Sequence, residues 1–153
     1  MQIREIQGEP DGGGRRVGVV VAVFNRIITD GLLAGVLEAL EVAGTSQVTV
    51  VRVPGSLEIP LAAQRLAESG HDAVVAVGAV IKGETDHYEH VAGQSIAGVS
   101  RVSLATGVPV GNAILTVTEF QHARDRSLPG PANKGYEAAM AVLATLDALE
   151  AIG

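Results

Sequence analysis

A polar cluster follows directly on a long apolar run near the middle of this 153-residue chain. Lys82, Glu84, Thr85, Asp86 and His87 come immediately after residues 73–81, whose sequence is typical of a buried strand. Backbone N–H groups and a hydroxyl at the start of a helix bind anions, and the positive end of the helix favours a neutral imidazole that accepts protons. The pattern predicts an anion site beside a proton-transfer residue, His87.

Two other interpretations of this cluster stay open at the level of sequence. Thr85 or Asp86 could simply cap the next helix by accepting its free N–H groups, a role compatible with anion binding. His87 and His90 are spaced to share one helix face, and with Asp86 or Glu89 they could bind zinc. That site would need a third convergent ligand, and the remaining histidines lie in other elements, so our prediction includes no metal.

Three basic residues suggest further chemistry. Lys82, at the end of a predicted strand, could form a Schiff base with a carbonyl substrate, although a solvated loop lysine is commoner. Arg126 and Lys134 flank a Pro- and Gly-containing loop and could hold a phosphate, unless they are exposed salt-bridge partners.

The elements that would position these residues alternate along the chain. β-Branched runs predict strands, and apolar stripes behind capping residues predict helices. The expected strands are residues 17–24, 48–53, 73–81 and 107–115; the expected helices begin at Thr29 or Asp30, at Ser56, at His87, near Glu119 and after Asn133. Such alternation predicts a four-stranded parallel sheet between helices, that is, a three-layer α/β/α sandwich of the flavodoxin-like class.

The loops at the carboxyl ends of these strands should converge at one edge of the sheet. The first loop, Phe24-Asn25-Arg26, lacks the phosphate-binding loop of a flavodoxin and the acidic cluster of a receiver domain. No Rossmann or P-loop glycine pattern is present. Phe24 could be a core residue, but its place at the mouth of the sheet also suits stacking on a flat heteroaromatic ring.

The first sixteen residues differ from the rest, so we divide the chain into an arm (residues 1–16) and a single domain (17–153). Residues 2–6 alternate like a short strand, and a Pro- and Gly-rich stretch at 10–14 breaks the pattern. The arm is either a disordered tail or a strand that pairs with the sheet edge of another subunit.

Composition excludes several classes of partner. The net charge of −6 and the pI of about 5.1 argue against nucleic acid or an anionic membrane surface. The absence of cysteine excludes disulfides and thiolate metal sites. With no hydrophobic signal region or membrane-spanning stretch, a soluble cytoplasmic protein is the default expectation.

Taken together, the motifs closely resemble lumazine synthases, enzymes of riboflavin biosynthesis, over residues 17–149. The resemblance rests on Phe24-Asn25, on the sequences at 53–60 and 78–88, and on matching segments at 102–104, 107–110, 114–116, 126 and 133–135. The chain departs from the commoner family pattern at Asp86, Tyr88, Asn112, Ala113 and Gly130.

The resemblance implies a condensation of 5-amino-6-(D-ribitylamino)uracil with 3,4-dihydroxy-2-butanone 4-phosphate, giving 6,7-dimethyl-8-ribityllumazine, phosphate and water. It implies His87 as the proton-transfer residue and no cofactor. The substrate-binding residues it implies are Phe24, stacked on the pyrimidine; Ser56, Leu57 and Glu58, on the ribityl chain and ring edge; Ala79, Val80 and Ile81, contacting the uracil; Glu84, Thr85 and Arg126, on the phosphate; and Asn112, Lys134 and Glu137, around the site.

The resemblance also implies a homo-oligomer, either a pentamer or a shell of about 60 subunits built from pentamers. Arg126 would then come from the adjacent subunit, and riboflavin synthase is a further candidate partner. Two other functions remain open from sequence: a shell protein of the same fold that binds flavin-like ligands without turnover, and an aldolase that uses Lys82.

Overall fold

The computed structural model describes residues 1–153 and contains one four-stranded sheet whose strands are all parallel, in the order β2-β1-β3-β4. The strands are β1 (Arg16–Ala22), β2 (Gln47–Val53), β3 (Ala73–Ile81) and β4 (Val110–Val117). Central strands β1 and β3 are nearly continuous runs of Val and Ala, as expected of strands buried on both faces.

Five α-helices connect and cover the strands. They are α1 (Arg26–Val42), α2 (Ile59–Glu68), α3 (His87–Thr106), α4 (Phe120–Arg126) and α5 (Lys134–Ile152), and a short 3₁₀ turn (Ser56–Glu58) precedes α2. The predicted three-layer sandwich is confirmed.

Alternation along the strands divides the core into two layers. In β1, Val17, Val19 and Val21 point toward α1 and α5, whereas Val20 and Ala22 point toward α2 and α3. Because every second side chain of a strand faces the same side, one apolar run serves both layers. The sheet is thereby held rigidly at its centre, which fixes where its carboxyl edge lies.

Several predicted boundaries are wrong, among them the start of α2, which lies at Ile59 rather than Ser56, and three others have a clear local reason. Strand β1 ends at Ala22 rather than Phe24, and α1 begins at Arg26 rather than after Thr29 or Asp30. The cause is Asn25, whose left-handed backbone (φ 61°) turns the chain sharply from strand into helix. Gly107, expected to open β4, instead has φ 73° and ends α3.

The N-terminal arm forms no strand within the chain. It runs along α5 without helix or strand: Arg4 donates to the Ala151 carbonyl oxygen at 2.7 Å, and the Glu9 N–H donates to Asp147 at 2.9 Å. Arg15 pairs with Glu150. These contacts hold residues 4–15 close to the domain.

None of the helices combines the length and the apolar composition needed to cross a membrane.

Candidate active site

The loops after β1, β2 and β3 meet at the carboxyl edge of the sheet and enclose a cavity of about 490 Å³. Nine of the sequence-predicted site residues line it: Phe24, Ser56, Leu57, Glu58, Ala79, Val80, Ile81, Thr85 and His87. Residues from three separate loops thus come together because parallel strands end at one edge.

Phe24 stands at the mouth of this cavity with 71% of its surface exposed. The core interpretation of Phe24 is therefore wrong. An exposed aromatic ring beside a concave surface is available to stack on a flat ligand.

The loop after β2 lines the opposite part of the cavity. Ser56 is buried, and its hydroxyl lies over Gly78 of β3, where an added Cβ would stand only 2.6 Å from the Ser56 Oγ. Leu57 is half-exposed and Glu58 exposed. Ser56 makes no side-chain capping hydrogen bond, contrary to the predicted cap, since its backbone begins the 3₁₀ turn instead.

The turn before α3 brings the predicted anion-binding and proton-transfer groups together. The Thr85 hydroxyl accepts a hydrogen bond from the His87 N–H at 3.3 Å, while Asp86 makes no capping bond. His87 is the first residue of α3 and is exposed to the cavity. The amino end of a 20-residue helix, with its partial positive charge, therefore lies where Thr85 and His87 meet.

The other interpretations of this loop find no geometric support. Lys82 is exposed and does not line the cavity; its backbone N–H donates to the Val117 carbonyl oxygen at 2.9 Å. No group of three His, Asp or Glu side chains converges as metal ligands, so His87 and His90 lack a third partner.

Five predicted site residues lie outside the cavity of the single chain. Glu84 is not among the residues that line it, and Asn112 lies on β4 opposite Ala76, beside a second hollow of about 530 Å³. Arg126, at the end of α4, donates to the His122 carbonyl oxygen at 3.0 Å. Lys134 and Glu137 pair with each other at 2.8 Å at the start of α5. The single chain therefore does not place these five residues among the nine that line the cavity.

Five residues line the cavity without having been predicted there: Pro54, Gly55, Gly83, Tyr88 and Val91. Most are sequence neighbours of predicted residues. Val91 lies four residues after His87, and this one-turn spacing places both on the same face of α3.

A charged cluster lies near Phe24, where Arg26 and Arg52 line the same surface hollow as that residue. The Asp30 carboxylate accepts from Arg52 at 3.0 Å and from Arg26 at 3.1 Å. The hydrogen bond from Arg52, assisted by the one from Arg26, lowers the pKa of Asp30, so this carboxylate stays ionised and holds both guanidinium groups at the rim.

Comparison with known proteins identifies relatives of the chain. The family model for 6,7-dimethyl-8-ribityllumazine synthase matches residues 14–150. Curated 6,7-dimethyl-8-ribityllumazine synthases that resemble the chain include one from Thermococcus kodakarensis, 49% identical with 94% of this chain and 92% of the relative covered. Another, from Kineococcus radiotolerans, is 48% identical with 94% and 91% covered, and one from Nitratidesulfovibrio vulgaris is 39% identical with 98% of each covered.

A match of this length includes all three loops around the cavity as well as α4 and the start of α5. The chain belongs to the 6,7-dimethyl-8-ribityllumazine synthase family.

Proposed function

We propose that the chain condenses 5-amino-6-(D-ribitylamino)uracil with 3,4-dihydroxy-2-butanone 4-phosphate to form 6,7-dimethyl-8-ribityllumazine in the cavity at the carboxyl edge of the sheet. The observation that carries the proposal is that one cavity combines an exposed aromatic ring, a strand-end backbone edge and the Thr85–His87 turn. These features match a flat pyrimidine, its hydrogen-bonding edge and a phosphate ester, respectively.

The pyrimidine would lie against Phe24, with its edge hydrogen-bonded to backbone groups of residues 79–81. Phe24 is free to stack because most of its surface is exposed. The ribityl chain carries several hydroxyls, and it would extend along the 56–58 loop, where Ser56 and the carboxylate of Glu58 offer hydrogen-bonding partners and Leu57 an apolar wall.

The phosphate would bind at the amino end of α3. The Glu84 backbone and the Thr85 hydroxyl would contact its oxygens, and the partial positive charge of the helix end would stabilise its anionic form. This role uses the backbone of Glu84, which explains why its side chain need not enter the cavity.

His87 would transfer the protons that the condensation requires. The 5-amino group of the uracil substrate attacks the ketone of the butanone and loses water to form an imine. Elimination of phosphate and tautomerisation then leave a carbonyl group, and the ribitylamino nitrogen closes the ring on it with loss of a second water. No enzyme amine has to become covalently attached, in keeping with the position of Lys82 outside the cavity. The protein contributes orientation, phosphate binding and one imidazole for general acid–base catalysis.

Asn112, Arg126, Lys134 and Glu137 would complete the cavity of a neighbouring subunit. All four lie outside the cavity of their own chain. Asn112 and Arg126 are exposed, and the side chains of Lys134 and Glu137 are about half-exposed. Arg126 would clamp the phosphate from the adjacent subunit, and its present hydrogen bond to a main-chain carbonyl leaves the rest of its guanidinium group free for that purpose.

The active assembly would then be a closed ring, a pentamer, because each subunit both gives and receives part of a site. We propose that α3 lines the axis of the ring, that residues 2–6 of the arm pair with the exposed edge strand β2 of a neighbour, and that such rings assemble into a shell of about 60 subunits. Riboflavin synthase is the partner we propose for this assembly.

Mixing the two substrates with the purified protein and following the absorbance of the lumazine product tests the activity. We expect product to form at a rate proportional to protein concentration. No product at any protein concentration would contradict the proposed function. Mass photometry of the same sample tests assembly: a monomer at micromolar concentration would refute the ring, and an isolated pentamer would refute only the shell.

A further inference from the structure

Asn25 has a backbone conformation unlike that of every other non-glycine residue in the chain. Its φ of 61° and ψ of 47° lie in the left-handed region, and it is the only non-glycine residue with positive φ. Asparagine tolerates this region better than most residues, but such conformations persist where surrounding contacts enforce them. The contacts of Asn25 therefore indicate what the conformation serves.

The side chain of Asn25 does not cap its own helix. The backbone carbonyl of Asn25 accepts from the N–H groups of Ile28 and Thr29, both at 3.0 Å, and so begins α1. The carboxamide instead turns away, and its Nδ2 donates to the carbonyl oxygen of Ala79 at 2.9 Å. An asparagine before a helix usually caps it, so this use of the side chain is a departure that links two loops.

The Ala79 carbonyl lies just past the end of a strand pairing. Val77 is the last β3 residue paired with β1, and Ala79 follows two positions later. The Asn25 amide therefore occupies the position that a further β1 residue would have filled. A buried carbonyl without this donor would lose a hydrogen bond at the sheet edge that lines the cavity.

A second hydrogen bond fixes the same loop on its other side. The Phe24 N–H donates to the Pro54 carbonyl oxygen at 3.0 Å. Phe24 is thus held between Pro54, from the loop after β2, and Ala79, at the end of β3. Because the Phe24 ring is itself largely exposed, these backbone contacts rather than side-chain packing set where it stands.

We propose that Asn25 is a positioning residue: through its hydrogen bond to Ala79 it sets the distance between the Phe24 ring and the backbone edge 79–81, and so the affinity for a flat heteroaromatic substrate. Asn25 itself does not line the cavity. This inference rests on the proposed function, in which that substrate is the ribitylaminouracil.

Two substitutions remove the donor and leave the left-handed backbone available. Asn25→Gly introduces a residue that adopts positive φ without steric cost. Asn25→Asp keeps the size of the side chain but places a hydrogen-bond acceptor against the Ala79 carbonyl oxygen. Loss of one neutral hydrogen bond predicts an increase of about three- to tenfold in the KM for the ribitylaminouracil in both variants. The KM for the butanone phosphate should stay within about twofold, because the Thr85–His87 turn is untouched.

The measurements are both KM values, the affinity for 6,7-dimethyl-8-ribityllumazine by calorimetry, the thermal unfolding midpoint and the mass of the assembly. An unchanged KM for the ribitylaminouracil in both variants would overturn the proposal. Equal increases in the two KM values, or dissociation of the assembly, would also overturn it, since they indicate a general structural role.

Failure of the proposed function gives a different result. An inactive wild-type protein that still binds the lumazine would refute the condensation, and the calorimetric comparison would then decide the role of Asn25 alone. A wild-type protein that neither turns over nor binds the lumazine would refute both.

Discussion

His87 is the residue on which proton transfer depends in this account. We expect His87→Ala to reduce kcat by about 100-fold, the usual contribution of one acid–base group, and to leave the fold intact because the side chain is exposed. Steady-state kinetics on the purified variant measures the effect. The matched control is His90→Ala, which removes an exposed imidazole from the same helix outside the cavity and should keep kcat within about twofold. A wild-type kcat in His87→Ala would remove His87 from the mechanism.

Lys82 separates the condensation from aldolase-like chemistry. Because the imine is proposed to form between the two substrates, Lys82→Met should retain measurable turnover. Treating the wild-type enzyme with borohydride in the presence of the butanone phosphate should give no mass increase on the protein. A trapped adduct on Lys82 would overturn the assignment.

At the scale of elements, Asn133 joins α5 to the rest of the domain. It is 2% exposed; its Oδ1 accepts from the N–H groups of Gly135 and Tyr136, and its Nδ2 donates to the carbonyl oxygens of Gly31 and Leu128. One side chain therefore caps α5 and ties it to α1 and to the preceding loop.

We expect Asn133→Ala to lower the free energy of unfolding by about 2–4 kcal/mol, since it removes a helix cap and leaves the part-buried carbonyls of Gly31 and Leu128 without this donor. Asn133→Ser keeps a capping oxygen and should lose less. Glu119→Ala is the control, because Glu119 precedes α4 without a side-chain capping bond and should change stability by less than about 0.5 kcal/mol. Denaturant unfolding gives all three values; equal stability of Asn133→Ala and wild type would contradict the role of the cap.

The order and type of the elements could be predicted from sequence, whereas some boundaries could not. The Val-rich run of β1 and the Asn133 cap are local signals with a direct physical meaning. The ends of β1 and α3 depend on Asn25 and Gly107, each in the left-handed region. The conformation of Asn25 is held by a hydrogen bond to a residue 54 positions away, which no local pattern contains.

At the scale of the whole molecule, some residues of the site could be predicted from sequence patterns and others could not. Nine predicted residues meet because they lie at, or just after, the carboxyl ends of strands, and the parallel direction of the strands brings these ends to one edge. Asn112, Arg126, Lys134 and Glu137 lie elsewhere on the chain, and in our proposal their place in a site depends on how copies assemble. Asn112 and Glu137 were predicted only through the resemblance, whereas Arg126 and Lys134 were also indicated by their basic side chains beside the Pro- and Gly-containing loop.

The central claim, a condensation site completed by the neighbouring subunit, is tested most directly by mixing two defective subunits. His87→Ala lacks the proton-transfer group, and Arg126→Ala should have a raised KM for the butanone phosphate. In rings assembled at random from equal amounts, about a quarter of the sites would join an intact His87 to an intact Arg126 of the adjacent chain.

Co-expression of the two variants, with turnover measured at a low concentration of the butanone phosphate, gives the comparison. We predict that mixed assemblies recover about a quarter of wild-type activity, well above the average of the two variants assayed separately. Activity no higher than that average, in assemblies shown by mass spectrometry to contain both chains, would contradict a site shared between subunits.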